Sequence, residues 1–462
     1  MKRFSLCCLV DAVFLAALVV VPAAKADITL PKVIGRHMVL QRDQPLPIWG
    51  WAESGEEVTV KLDEATATTK ADVQGNWKVV LGPLKADGKT HSMTVSGKNK
   101  VELDDILIGD VWLGSGQSNM EMAVRASSNA EETMAAAKHP QIRLLHVKSI
   151  DVPQPARDIG VLGGADAQLR PAWKACSPAS VVRFSGVLYA FGQRLHQETG
   201  VPIGLIHSTW GGTPIEDWVP GGGKYNGMIV PVKPLALRGV IWYQGESNVG
   251  NGLKYADKMK FLIEGWRQAW GYEFPFYFVQ IAPFSGYKPG ELPPLWEAQV
   301  ASLKIPKTGM VVTTDLVENI ADIHPKNKVD VGNRLALWAL AKQYGKKDLV
   351  CSGPLYKSMK AGGDKIRLSF SHVGGGLKSR DGKPLSEFEI AGADDKFSPA
   401  TAAIDGDSII VQSQNVRSPT QVRFGWRNEA NPNLVSQEGL PASPFQTKSW
   451  QGGTGTARSG DD

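Results

Sequence analysis

Between Ile106 and about Tyr344 the chain alternates apolar, β-branched runs with amphipathic stretches of helical period. That alternation constrains the fold more than any other feature, because strands separated by helices cross over and pair in parallel. The strand-like runs are Ile106–Leu113, Ile142–Val147, Pro202–His207, Gly239–Tyr243, Pro275–Ile281 and Gly309–Thr314. Helices are expected over Met120–Ala137, Phe184–Thr199, Leu253–Ala269, Trp296–Leu303 and Lys328–Gln343. The predicted fold class is α/β, a doubly wound parallel sheet flanked by N- and C-terminal β domains.

The flanks have a different texture. From Ile28 to about Leu107 short alternating runs such as Val58–Leu62 and Gly75–Leu81 are broken by turns, which suggests a small β-sandwich. Beyond Gly345 β texture returns in Lys365–Phe370, Phe388–Ile390, Ser408–Val411 and Gln421–Trp426. At the N-terminus Lys2 and Arg3 precede an apolar stretch from Phe4 to Val21 and a small-residue cleavage site at Ala24-Lys25-Ala26. The resulting division is a signal peptide over 1–26, a β-sandwich-like domain over 27–105, a catalytic domain over 106–345, a C-terminal β domain over 346–447 and a disordered tail over 448–462. The protein is thus expected to be exported, to the periplasm or outside the cell, with no permanent membrane span.

Composition excludes some functions. A net charge of +5, with Lys and Arg scattered among Asp and Glu, gives no basic stripe for nucleic acid. Cys176 and Cys351 remain after the signal peptide, enough for one disulfide or two buried thiols, but not for a cysteine metal site. No nucleotide or metal fingerprint is present. Neither a cofactor nor a metal is expected. Fourteen tryptophans lean slightly toward a carbohydrate partner.

The chemistry is expected at Ser118. Its strand ends in Gly114-Ser115-Gly116, and small residues permit a tight turn before the next helix. A hydroxyl at the carboxyl end of a parallel strand stands where such sheets bind ligands. Serine before a helix is also an ordinary cap, and Met120 replaces the second glycine of a Gly-x-Ser-x-Gly elbow. Three further stretches fall at predicted strand ends on the same side: His207–Trp218, Trp242–Asn248 and Ala321–Asn327.

Taken together, Gly116-Gln117-Ser118-Asn119-Met120-Glu121, Trp210-Gly211-Gly212-Thr213, Gln244-Gly245-Glu246-Ser247-Asn248 and Asp322-Ile323-His324-Pro325 resemble the motifs of the sialate O-acetylesterase family within the SGNH hydrolases. The resemblance runs from about Ile28 to Gln446. It implies an SGNH-hydrolase-like sheet, a serine esterase without cofactor, and an acetylated carbohydrate as substrate, whether a sialate or a polysaccharide such as acetylated xylan. An inactive glycan-binding protein is the alternative from another class.

The resemblance further implies Ser118 as nucleophile and His324 as base, with His207 as a rival. Asp322 is the expected orienting acid, against Glu246 and Asp315. Oxyanion donors are expected at the Ser118 and Gly211 or Gly212 backbone N–H groups and at Asn248. Gln117, Asn119, Trp210, Gln244 and Glu246 are expected to contact substrate, with Trp218, Trp242 and Tyr243 as further candidates for the pocket wall.

Overall fold

The computed structural model describes residues 27–160 and 172–448. The expected signal peptide and nearly all of the expected tail lie outside the described residues.

A seven-stranded sheet forms the centre. Its order is Thr308–Val311, Phe276–Val279, Gly239–Tyr243, Lys100–Gly116, Ile203–Thr209, His139–His146, Lys174–Cys176. All neighbours are parallel except the last pair, where Lys174–Cys176 runs antiparallel at the edge. From the serine strand the chain goes to His139–His146, returns to Ile203–Thr209, and then crosses to Gly239–Tyr243 on the other side. The crevice at which the winding reverses therefore lies at the carboxyl end of Lys100–Gly116.

Both faces are covered by helices, which explains why the strands read as unbroken apolar runs. On one face Trp112 meets Phe191 of helix Gly186–Thr199, and Tyr277 stacks on Trp338 of helix Lys328–Gln343. On the other face Trp242 meets Trp218 and Trp266, the latter on helix Tyr255–Trp270. Trp218, Trp242 and Tyr243 are core residues and wall no pocket.

The expected boundary at residue 105 falls inside a strand. Lys100–Gly116 is continuous; its first half pairs with Thr90–Ser96 of the N-terminal region and its second half with the central sheet. Val39–Gln41 joins the same strand in parallel. One apolar core runs from Ile28 through the central sheet and its helices, so the N-terminal strands extend the central unit. The C-terminal region has its own core around Ile366, Phe388 and Phe424, and docks on the central unit through Ser443 beside Gln280.

The expected Met120–Ala137 helix is broken into Ser118–Glu121, a 3₁₀ turn at Val124–Ala126 and Ala130–Ala136. Between the first two pieces the Val124 N–H donates to Phe184 O, a tertiary bond in place of a helical one. Cys176 and Cys351 are both buried free thiols, and burial pushes the Cys176 thiol up to about 11. Among the described residues no helix is long and apolar enough to cross a membrane.

Candidate active site

Strand register brings the motifs together. Gly116 pairs with both Thr209 and Tyr243, so the three strands end level and their following loops converge. Gly116 has φ 134°, and a Cβ there would stand 2.1 Å from Tyr243 O. Only glycine lets the chain turn out of the sheet so close to its neighbour. Ser118 follows as the first residue of its short helix, where the backbone N–H has no helical acceptor.

His324 comes from the loop before helix Lys328–Gln343, and its Nε2 lies 2.8 Å from Ser118 Oγ. Both residues are half-buried and open to the crevice. Burial, together with the nearby Lys328 cation, holds the imidazole below its ordinary pKa, while Asp322 works in the opposite direction. An imidazole kept neutral at neutral pH can accept a proton.

Asp322 Oδ1 accepts the His324 backbone N–H at 2.9 Å and stands 3.9 Å from Nδ1. Its carboxylate thus shapes the turn and acts on the ring through space. The rival acids are engaged elsewhere: Asp315 is bidentate with Arg334 at 2.7 and 2.6 Å, and Glu246 accepts from Asn119. His207 is buried, stacked on His146 with centroids 4.4 Å apart, and its Nε2 is 2.7 Å from Thr209 Oγ1. It faces the interior, away from Ser118's partner.

Gly211 packs against Ser118; a Cβ on it would lie 3.3 Å from Ser118 Cβ. Its N–H donates to Glu121 Oε2 at 2.6 Å. Burial raises the Glu121 carboxyl and this bond lowers it, with burial the larger effect. Gly212 follows at φ 73° on the exposed side of the turn.

Four of the residues expected to touch substrate are instead spent on one another. Gln117 Oε1 accepts from Gln244 Nε2 at 3.1 Å and from the Ser247 N–H at 3.2 Å. Asn119 Nδ2 donates to Glu246 Oε1 at 2.6 Å and to Ile323 O at 3.0 Å. All four side chains are buried. In the free protein these bonds hold the loops to one another, and of the Glu246 oxygens only Oε2 is left without a partner.

Asn248 requires the same correction. Its Nδ2 donates to Glu216 Oε2 and Asn251 Oδ1, both at 2.9 Å, while its Oδ1 accepts the Ile215 N–H. The amide expected at the oxyanion holds the 213–216 and 248–251 segments together. Trp210 alone of the expected contacts remains half-exposed, with Lys224 Nζ 4.2 Å from its ring centroid.

Glu121 and Lys328 are site residues that received no expected role. Glu121 lies three positions after Ser118 in a quoted motif. Lys328 is a cation in the first turn of a helix, where the dipole disfavours it, and that misplaced charge was the available signal.

A family model described as "Carbohydrate esterase, sialic acid-specific acetylesterase" matches residues 108–341. The sialate O-acetylesterase of Homo sapiens is 31% identical, over 89% of this chain and 91% of its own. That of Mus musculus is 29% identical, over 89% and 93%. The crystal structure of a carbohydrate acetylesterase from Xanthomonas citri superposes with a TM-score of 0.86 at 40% identity, covering 92% of this chain and all of that one.

Proposed function

Since the chain belongs to the sialic acid-specific acetylesterase family of carbohydrate esterases, and is thereby a carboxylic ester hydrolase, we propose that it is exported, to the periplasm or outside the cell, and removes O-acetyl groups from carbohydrate with Ser118 as nucleophile. The observation that carries this reading is the 2.8 Å contact between Ser118 Oγ and His324 Nε2 at the reversal point of the sheet.

In this mechanism His324 Nε2 takes the hydroxyl proton as Ser118 Oγ attacks the acetyl carbonyl carbon. The carbonyl π electrons move to oxygen, and the oxyanion faces the Ser118 N–H and the Gly211-Gly212 turn. One such donor is worth about 2.7–4 kcal/mol at the transition state. Collapse expels the sugar oxygen, which receives the proton from His324 and leaves an acetyl-serine. Water then attacks under the same base, releasing acetate and restoring the hydroxyl. The Gly211 N–H is held by Glu121 in the free protein, so its service to the oxyanion requires that carboxylate to turn aside.

A sialate ester is the substrate named for the animal relatives. A neutral acetylated polysaccharide is favoured by a separate observation: Glu121 and Asp322 place two carboxyl groups beside the dyad, which disfavours an anionic sugar. The test is acetate release from 4-nitrophenyl acetate, acetylated xylan and O-acetylated sialic acid by the wild type and S118A. Serine-dependent release from at least one is expected. Equal release by a folded S118A, or none by the wild type, refutes the proposal.

A further inference from the structure

Behind the dyad lies a buried cluster that the reaction just described does not use. Lys328 is 1% exposed, at the start of helix Lys328–Gln343, where the helix dipole opposes a cation. Lysine is seldom buried so completely unless a partner repays its desolvation. Its Nζ donates to Asn119 Oδ1 at 2.5 Å and lies 5.4 Å from the Tyr243 ring centroid. Glu246 is the buried carboxylate nearby; its Oε1 accepts from Asn119, and its Oε2 is buried with no hydrogen-bond partner.

The geometry matters for Asn119. An amide side chain can present either its oxygen or its NH₂ to a neutral neighbour, and the two orientations often compete. A charged lysine only donates and Ile323 O only accepts, so between them they fix the Asn119 oxygen toward Lys328 and the NH₂ toward Glu246 and Ile323 O. Ile323 immediately precedes His324. Asn119 immediately follows Ser118. One amide therefore ties the backbone on the histidine side of the dyad to the helix that carries the serine.

Resting on the Ser118–His324 reading, we infer that Lys328 is a positioning residue that locks the Asn119 amide and so holds the His324 loop in register with Ser118. The same loop is anchored further out, where the Ser128 N–H donates to Lys326 O and the Ser285 N–H to Ile320 O. Those outer bonds place the segment; the Asn119 bond sets the ring over the hydroxyl.

A second consequence concerns charge. His324 feels Lys328, which disfavours its protonation, and Asp322, which favours it. Lys328 in turn faces Glu246, Glu318 and Asp322, yet burial dominates and brings its ammonium down to about 8. Losing the proton would weaken this donor without reversing it, since a neutral amine still donates and Ile323 O still requires the Asn119 NH₂.

The experiment is a pH profile of kcat and KM for 4-nitrophenyl acetate, corrected for spontaneous hydrolysis, with the full chain and K328M. A hydrogen bond to a charged group is worth about 1.5–3 kcal/mol, so K328M should lose about 10- to 150-fold in kcat with KM within about twofold. Its acid limb should move to higher pH, because the cation that opposes His324 protonation is gone. A role confined to stability would leave that limb in place. If K328M fails to fold, K328Q carries the same comparison, and a folded variant of either kind with wild-type kcat and acid limb overturns the inference. A wild type without serine-dependent acetate release defeats the esterase reading instead, which separates the two failures.

Discussion

Replacing Asp322 by asparagine removes a charge and little else. An asparagine Oδ1 can still accept the His324 N–H that Asp322 holds at 2.9 Å, so the turn should survive. In the proposed mechanism, what disappears is the attraction between the carboxylate and the imidazolium formed when His324 takes the serine proton. The charged atoms are 3.9 Å apart, with side chains 39% and 41% exposed. At about 4 Å two unit charges attract by about 1 kcal/mol in bulk water and about 4 kcal/mol near a protein surface. Exposure on both sides puts this pair toward the lower end, about 1–2 kcal/mol, so kcat should fall about 5- to 30-fold. A buried aspartate bonded directly to the ring costs about ten-thousand-fold when neutralised in the serine protease triad. The sign of the pH effect is also fixed. Asp322 raises the His324 pKa, which burial and Lys328 lower. D322N should therefore shift the acid limb of kcat/KM to lower pH while reducing the plateau. Steady-state acetate release from pH 4 to 8 measures both quantities. An unchanged plateau and limb would refute the through-space account, and a loss near ten-thousand-fold would show a direct bond to Nδ1 during turnover.

Two other perturbations test the crevice and the joint beneath it. W210A should leave turnover of 4-nitrophenyl acetate within about threefold but lower kcat/KM for an acetylated glycan about tenfold, the loss of roughly 1.4 kcal/mol of aromatic contact; paired assays on the two substrates decide it. Asp105 lies at φ 52° inside the long serine strand, bidentate with buried Arg143 at 2.7 Å for both contacts and 2.5 Å from His37 Nδ1, which holds its carboxyl at about 2. Because the folded pKa is depressed, this stabilisation is complete above the ordinary carboxylate pKa and is lost as pH falls through about 2. D105N should lower stability by about 1–3 kcal/mol at pH 7 in denaturant titration, with the deficit shrinking toward pH 2.

The parts of this molecule legible in its sequence are those fixed by local pattern. Helix Lys328–Gln343 has the bounds its sequence suggested, because Asn327 caps it with an ordinary side-chain bond to the Asp330 N–H. Strand ends and their small residues likewise marked where the loops converge. Pairing across the chain was not legible. Asn119 meets Glu246 and Gln117 meets Gln244, each across 127 positions, and one sequence carries no trace of which polar residue satisfies which. Polar residues in loops at strand ends therefore read as ligand contacts. Buried side by side, they are satisfied by one another except at Glu246 Oε2, since an unpaired polar group there costs about 1–3 kcal/mol. The domain boundary was missed for a related reason: nothing local in residues 100–116 distinguishes a strand that ends from one that passes from one sheet into the next. The same logic explains why the motif is so much larger than the reacting pair. Ser118, at the head of a short helix, and His324, on a loop, are 206 positions apart. A serine and an imidazole held at 2.8 Å need their backbones tied on both sides, and the buried amides of Asn119, Gln117 and Gln244 supply those ties.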